Sequence, residues 1–247
     1  MPRHAMLNNV AHKNLRVITR FGAQFGDNVG TVLTFPTEYG DVQREYPIFF
    51  RKDPQTGEYS SVVLLGFSKD ENLFLEGDRW DASYIPGVVA RGPFLIGFQE
   101  RSEGGEARRE PMIHVDLDNP RISESEGESV FLEMGGNSRY LEQIVSVLSG
   151  INQGIEISKV MFAMFAEMDL IEPVNLEIKL DGEERYDVVG LHTISEPKMR
   201  ALGADAIYRL HRSGFLQGAY LVMASLNNVQ RLIDRKRRRK VQAAIAS

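Results

Sequence analysis

The stretch Ser138-Arg139-Tyr140-Leu141-Glu142-Gln143-Ile144-Val145-Ser146-Val147-Leu148 marks the point where the chain changes from β-rich to helical. Ser138 is a residue type that caps helices, and the apolar residues after it follow at helical spacing. They are Leu141, Ile144, Val145, Leu148, Ile151 and Ile155. The pattern predicts a long central helix that begins at Ser138 and runs as far as Leu170, with a bend or break at Gly150 or Gly154.

The region before this helix, residues 15–131, is predicted to be mostly β, with short strands between Gly, Pro and Asp turns. Residues 46–50 and 59–66 flank a loop that contains Pro54 and Gly57, which predicts a hairpin. Residues 94–98 and 111–117 predict a second strand pair. The charged segment between them, residues 100–110, is predicted to be an exposed loop.

The region after the helix contains one further β element. Residues 174–180 and 185–191 alternate apolar and polar side chains across Asp181-Gly182-Glu183-Glu184, which predicts a β-hairpin. Three helical segments are predicted beyond it, over 195–202, 204–212 and 215–240. Together these elements indicate an α+β fold with a β-rich N-terminal portion, a long central helix, a β-hairpin and a helical C-terminus. A single domain over residues 1–247 is expected, β-rich over 15–131 and with its helix, hairpin and C-terminal helices over 138–240.

Composition excludes several kinds of chemistry. The chain has no cysteine, so disulfides, thiolate catalysis and Cys-based zinc sites are excluded. The formal charge of −5 divides into +6 over residues 231–240 and −11 over the rest. Nucleic acid is therefore not an expected partner, and the basic run is predicted to be a solvated helix end that the helix dipole favours.

The sequence contains no apolar run of the ~20 residues that a membrane span needs. The first 20 residues also lack the continuous apolar stretch of a secretory signal peptide. A cytoplasmic location is the default expectation, with export by another route left open.

Two short patterns could carry chemistry, and each has a simpler explanation. His114-x-Asp116 with a distant His192 has the composition of a facial iron triad, but polar residues on a solvated sheet face explain it better. Ser195-x-x-Lys198 matches a motif of penicillin-binding serine enzymes, but Ser before Glu-Pro is the expected start of a helix. No metal site is predicted, and the sequence does not indicate a cofactor.

The only tryptophan lies in Arg79-Trp80-Asp81-Ala82-Ser83-Tyr84-Ile85-Pro86, which Arg91 follows closely. In a functional hypothesis, a planar or peptide ligand stacks on Trp80, and Arg79 or Arg91 binds its carboxylate or phosphate. In a structural hypothesis, Trp80 fills a gap between sheet and helices, and Asp81 pairs with one of these arginines. The structural hypothesis is favoured because a lone Trp is usually well buried.

Several segments, taken together and in order, resemble the bacterial SapC family. Besides residues 79–86, they are Arg44-Glu45-Tyr46-Pro47-Ile48, Leu64-Leu65-Gly66, Glu71-Asn72-Leu73-Phe74, Pro120-Arg121-Ile122-Ser123-Glu124, Glu126-Gly127-Glu128, Leu170-Ile171-Glu172-Pro173, Leu210-His211-Arg212-Ser213-Gly214 and Ser225-Leu226-Asn227-Asn228-Val229-Gln230-Arg231-Leu232. The resemblance implies a soluble protein of about this length, distinct from the peptide-transport permease of the same name. It implies no catalytic residues, but it adds His211 to the candidate residues.

Two functions are open at this point. The first is a non-enzymatic accessory protein, linked to the surface layer as the family name implies, or to peptide handling. Its partner would be a peptide, an aromatic small molecule, or a surface-layer or other protein. The second is an enzyme, or an accessory to one, that modifies peptides or aromatic metabolites, with a metal as one option. The candidate ligand-binding residues are Arg79, Trp80, Asp81, Tyr84, Arg91 and His211.

Overall fold

A computed structural model describes residues 3–103, 106–180 and 184–245. The strands are β1 (His4–Met6), β2 (Arg16–Val17), β3 (Thr31–Thr34), β4 (Ile48–Lys52), β5 (Tyr59–Leu64), β6 (Leu75–Glu76), β7 (Arg79–Trp80), β8 (Phe94–Glu103), β9 (Glu106–Asp116), β10 (Ile122–Ser123), β11 (Glu128–Ser129), β12 (Ile171–Lys179) and β13 (Arg185–Ile194). The α-helices are α1 (Tyr39–Val42), α2 (Gly87–Ala90), α3 (Arg139–Glu167), α4 (Glu196–Arg200), α5 (Ala204–Arg212), α6 (Phe215–Ser225) and α7 (Asn228–Ile245). The predicted α+β class is confirmed.

The chain divides into two compact units. Unit 1 comprises Met1–Asp27 and Gly87–Asn152, and unit 2 comprises Asn28–Pro86 and Gln153–Ser247. Helix α3 contributes its first half to unit 1 and its second half to unit 2. The assignment of one domain to residues 1–247 stays a prediction.

Unit 1 contains two small antiparallel sheets, with strand orders β1-β9-β8 and β10-β2-β11. Its core combines buried residues of these sheets, such as Phe94 and Val115, with one stripe of α3. That stripe is the apolar series Leu141, Ile144 and Leu148. Ser138 begins the helix as predicted, because its hydroxyl accepts a hydrogen bond of 3.1 Å from the backbone N–H of Leu141.

A buried ion pair crosses unit 1. The guanidinium of Arg121 lies 2.5 Å from the carboxylate of Asp27, and both side chains are less than a tenth exposed. Arg121 also donates to the carbonyls of Ile18 and Arg20, at 3.0 and 2.6 Å. The ring of Phe25 lies 4.7 Å from its guanidinium carbon. These partners compensate the desolvation of the charge, so Arg121 ties distant segments of the unit together.

Unit 2 is built on a five-stranded antiparallel sheet with strand order β12-β13-β4-β5-β3. Helix α3 packs against it through an edge-to-face contact between Phe50 and Phe162, whose ring centroids are 4.9 Å apart. Gly154 allows this approach, because a Cβ at that position would lie 2.5 Å from the Cβ of Phe35. The predicted hairpin of β12 and β13 is confirmed, although residues 181–183 of its turn lie outside the described residues.

Three details of the sequence prediction are wrong. The predicted loop over 100–110 is paired strand on both sides of the undescribed residues 104–105, with a register from Gln99↔Glu110 to Glu103↔Glu106. Backbone pairing needs no apolar alternation, so the pattern could not show it. Helix α3 is continuous through Gly150 and Gly154. It ends at Glu167, just before Asp169, which has φ 53.

The third error concerns the last predicted helix, which is split into α6 and α7. Polar side chains at the break bond to distant backbone. The hydroxyl of Ser225 accepts the N–H of Ile48 at 2.9 Å, and the amide of Asn228 donates to the carbonyls of Gln43 and Tyr46 at 2.7 and 3.1 Å. Such bonds favour a helix boundary over a helix interior.

Candidate functional site

Trp80 is buried in unit 2, with 8% of its surface exposed. It lies in a short hairpin of β6 and β7, called the Trp80 hairpin below. Its indole Nε1 donates a hydrogen bond of 2.7 Å to the hydroxyl of Tyr46, and its ring stacks on Phe74 with centroids 6.3 Å apart. The Tyr46 hydroxyl in turn donates to the carbonyl of Tyr84 at 2.5 Å. Trp80 is therefore buried, and its ring is not an open stacking surface.

Asp81 pairs with Arg235 of α7, and not with Arg79 or Arg91 as the structural hypothesis expects. The carboxylate of Asp81 contacts the guanidinium of Arg235 on α7, which also donates to the Asp81 carbonyl at 2.8 Å. The same guanidinium lies over the ring of Phe74, 4.4 Å from the centroid. Arg79, on the neighbouring strand position, is exposed.

Tyr84 is tied to a carboxylate within unit 2. Its hydroxyl donates to Glu38 Oε2 at 2.7 Å, and the other oxygen of Glu38 accepts from Thr34 Oγ1 at 2.8 Å. Burial raises the pKa of Tyr84, and the bond to Glu38 raises it further. Burial also raises the pKa of Tyr46, and the hydrogen bond with Trp80 offsets only part of this rise.

The other two candidate residues lie elsewhere in the chain. Arg91 belongs to unit 1, where it donates to the carbonyl of Phe94 at 2.6 Å and where burial lowers its pKa. His211 is exposed on α5. The structure therefore brings Trp80, Asp81 and Tyr84 into one hydrogen-bonded segment, while Arg91 and His211 are not part of it.

The C-terminal basic run holds this segment in place and is not merely a solvated helix end. Besides Arg235, the ammonium of Lys236 contacts the carboxylate of Glu71, and both side chains are less than 15% exposed. Lys236 Nζ also lies 4.8 Å from the centroid of the Tyr186 ring. Arg239 donates to the carbonyls of Asn72, at 2.9 Å, and Leu75. Long-range contacts of this kind leave no local signal in the sequence.

The motifs that suggested catalysis lie at ordinary structural positions. A Cβ at Gly97 would meet the ring of His114, so this histidine packs against its neighbouring strand. Ser195 precedes α4 as predicted but forms no side-chain cap, and Lys198 Nζ lies 2.8 Å from the carboxylate of Asp169. Among the side chains that the structure describes, those of residues 3–98, 111–180 and 184–245, no group of three or more His, Asp or Glu is placed to hold a metal ion.

An apolar cavity of about 560 Å³ lies between α3 and strands β3 and β5 of unit 2. Its aromatic wall is formed by Tyr59 and Phe162, whose nearly parallel rings have centroids 5.8 Å apart. Ala163 and Ala166 on α3 also line the cavity with small side chains. The remaining lining residues are Leu33, Thr34, Phe35, Lys52, Gly57, Glu58, Ser60, Ser61, Ile155, Ser158 and Lys159.

Three hydroxyl groups in the cavity wall, those of Thr34, Ser61 and Ser158, are already hydrogen-bonded. The hydroxyl of Ser61 bonds to that of Tyr39, whose pKa is raised by burial. Ser158 Oγ donates to the carbonyl of Gly154 at 2.7 Å, and Thr34 is bonded to Glu38. These groups therefore present little free polarity to a ligand. Three charged side chains of the lining, Lys52, Glu58 and Lys159, are exposed, and Lys159 Nζ is already paired with Glu156 Oε1 at 2.8 Å.

His192 lies behind the aromatic wall. Its ring meets Tyr59 edge to face, with centroids 5.3 Å apart, and its buried Nδ1 has no hydrogen-bond partner within the part of the chain that the structure describes. Burial lowers the pKa of His192, and the nearby charge of Lys52 lowers it further. The imidazole is therefore neutral near pH 7.

Sequence reasoning missed this cavity because its wall comes from three segments, each with an ordinary pattern. The one local signal is Ala163 and Ala166, small residues on a helix face that otherwise carries Phe162 and Ile155. Small side chains in such a stripe are also common where two elements simply pack closely. The stripe alone could not indicate a cavity.

The fold and the cavity define an α+β protein with a ligand-sized apolar pocket. A family model described as SapC matches residues 7–232, so the chain belongs to the SapC family. Neither the curated proteins nor the solved structures provide a match. In the described part of the chain, no helix combines the length and the apolar character needed to cross a membrane.

Proposed function

We propose that this SapC family member acts as a binding or accessory protein whose ligand is a small aromatic or aliphatic monocarboxylate, including the C-terminus of a short hydrophobic peptide. The observation that carries the proposal is the cavity of about 560 Å³ with an aromatic wall and the exposed Lys52 in its lining. Cavities of roughly 300–1,000 Å³ that are mostly apolar, with a few polar groups to orient the ligand, are typical ligand sites.

The chemistry of the wall supports an aromatic or aliphatic ligand body. Tyr59 and Phe162 offer a ring surface, and each Å² of apolar area removed from water contributes about 25 cal/mol. Lys52 is the cation of the lining that can meet a ligand carboxylate, because Lys159 is paired with Glu156. Lys52 is exposed and Glu58 lies in the same lining, so this attraction contributes at most about 1 kcal/mol and serves mainly to orient the ligand.

The biological setting is part of the same proposal. The SapC resemblance suggests a role near the surface layer or in peptide handling, and a hydrophobic peptide terminus fits the second of these. A cytoplasmic location is part of the same proposal.

An enzyme that modifies the same ligand is the second candidate function. One observation favours it, which is the neutral imidazole of His192 beside the cavity wall with Nδ1 unpartnered in the described structure. An imidazole in this state can accept a proton. Incubation with a bound ligand, followed by mass spectrometry of that ligand, separates the two functions, because only an enzyme changes it.

The proposal is tested by calorimetric titration with hydrocinnamate and its uncharged primary amide. Ala163→Leu places a larger side chain at the exposed helical lip of the cavity, where leucine is a good helix former. We expect this variant to fold normally and to bind either probe at least about tenfold more weakly. Lys52→Met should weaken binding of the carboxylate but not of the amide.

Arg51→Met is the matched control for the rim lysine. Arg51 precedes Lys52 on the same strand, points to the opposite sheet face and carries the same charge. Its replacement should leave both affinities unchanged. Failure of the native chain to bind hydrocinnamate, decanoate or a leucyl-phenylalanine dipeptide would contradict the proposal, as would full binding by Ala163→Leu.

A further inference from the structure

A second cavity, polar and of about 350 Å³, lies in unit 2 between α7 and the Trp80 hairpin. Three arginines of α7 line it, Arg235, Arg238 and Arg239, together with Gln242. Arg238, Arg239 and Gln242 follow Arg235 by three, four and seven residues, which places all four along one side of the helix. Two acidic residues also line the cavity, Asp81 and Glu76, and Glu76 is the last residue of β6.

Two of these guanidinium groups are held in fixed positions. Arg235 is bonded to the carboxylate and the carbonyl of Asp81. Arg239 is bonded to the carbonyls of Asn72 and Leu75. Each guanidinium has five N–H donors, and these bonds use two of them, so donors remain for a ligand. Because the side chains are already ordered, a ligand does not have to immobilise them.

The third arginine is available for a ligand. Arg238 is exposed and forms no hydrogen bond or ion pair with the described residues of the chain. The cavity therefore carries three positive charges against the carboxylates of Asp81 and Glu76, and the carboxylate of Asp81 is already engaged by Arg235. The unbalanced charge favours an anion.

We propose that this arginine cavity binds a small phosphate-type anion with at least two negative charges, such as a phosphate ester or a pyrophosphate group. Guanidinium groups donate paired N–H bonds that match the oxygen spacing of phosphate. The lining is mainly polar, with Leu73 and Leu75 as its apolar side chains, so this ligand differs in class from the monocarboxylate proposed for the apolar cavity. The inference does not depend on that proposed function.

Pyrophosphate is the probe for a direct test, with the emission of the only tryptophan as readout. Arg235 lies over Phe74, and Phe74 stacks on Trp80, so an anion that reaches Arg235 changes the surroundings of the indole. We expect saturable, salt-sensitive binding. Arg238→Gln should weaken it about tenfold, because it removes a charge-assisted donor. Glu76→Gln should strengthen it several-fold, because it removes the opposing charge at the hairpin.

Arg212→Gln provides the matched control. Arg212 is an exposed arginine on α5, so its loss changes the net charge equally without touching the cavity. The affinity of Arg212→Gln for pyrophosphate should stay within about twofold of that of the native chain. Ala163→Leu should also bind pyrophosphate normally, which separates this site from the apolar cavity. The proposal is overturned if pyrophosphate binds without saturation, if Arg238→Gln and Arg212→Gln lose affinity equally, or if Glu76→Gln binds no more tightly.

Discussion

The indole N–H of Trp80 donates a hydrogen bond of 2.7 Å to the phenol oxygen of Tyr46, and the same phenol donates a hydrogen bond of 2.5 Å to the carbonyl of Tyr84. Tyr46 is fully buried, so no water replaces either bond when one is removed. One hydroxyl group therefore satisfies both a side chain of the Trp80 hairpin and the backbone of the segment that follows it.

Tyr46→Phe should lower the free energy of unfolding by about 2–4 kcal/mol, because it leaves the indole N–H and the Tyr84 carbonyl without their partner. Urea unfolding followed by far-ultraviolet circular dichroism measures this. Tyr220→Phe is the control, since that phenol is 57% exposed and should change stability by less than about 0.5 kcal/mol. Equal effects of the two substitutions would show that the Tyr46 hydroxyl does not link these segments.

Alkaline pH should unfold unit 2. Burial raises the pKa of Tyr39, Tyr46 and Tyr84. The unfolded chain loses these protons near pH 10, whereas the folded chain keeps them to higher pH. Their contribution to stability is therefore complete below about pH 10 and is lost as the pH rises from there towards the folded pKa values.

Near-ultraviolet absorbance of tyrosinate measures this titration. We expect Tyr39, Tyr46 and Tyr84 to ionise only as the circular dichroism of the fold is lost. In concentrated urea, where the chain is unfolded, all tyrosine side chains should ionise together. Ionisation of every tyrosine near pH 10 in a chain that stays folded would disprove the prediction.

The two glycines of α3 should respond oppositely to alanine. A Cβ at Gly154 would lie 2.5 Å from Phe35 Cβ and 2.8 Å from Thr37 Oγ1, so Gly154→Ala should destabilise the protein by about 1–3 kcal/mol. At Gly150 nothing lies within 4 Å, so Gly150→Ala should stabilise it by about 0.5–1 kcal/mol. Thermal unfolding of the pair measures the difference, and a gain in both variants would contradict the close packing at Gly154.

Arg121→Lys should destabilise unit 1 by about 3 kcal/mol, although it keeps the charge. A lysine ammonium cannot donate at once to Ile18, Arg20 and Asp27 in the geometry of the guanidinium. Arg139→Lys, at an exposed position of α3, is the control and should be neutral. Proteolysis of the folded chain, with cleavage sites mapped by mass spectrometry, should show faster cutting within unit 1 for Arg121→Lys alone.

Local patterns were sufficient for the parts of the fold that local chemistry determines. The capping role of Ser138, the apolar stripe of α3 and the alternation in β12 and β13 were all predictable. The break between α6 and α7 was not, because Ser225 and Asn228 form it by bonding to backbone more than 170 residues away.

In the candidate site, too, local features were predictable from the sequence and long-range contacts were not. Burial of Trp80 and the pairing of Asp81 with an arginine were expected, but the partner is Arg235, which lies 154 residues further along the chain. Polar residues in the segments that resemble SapC, such as Glu45 and Asn72, turn out to bond to backbone N–H groups. Those segments therefore identify a fold more than they identify chemistry, and neither cavity was visible in them.

The dependence of the Trp80 hairpin on α7 has a consequence for biosynthesis. Asp81 leaves the ribosome 154 residues ahead of Arg235. At about 5–20 residues per second, the hairpin waits on the order of 8–30 s for the helix that anchors it. During that interval the nascent chain displays the Phe74 ring without the Arg235 guanidinium that lies over it, which is when a chaperone would recognise the chain.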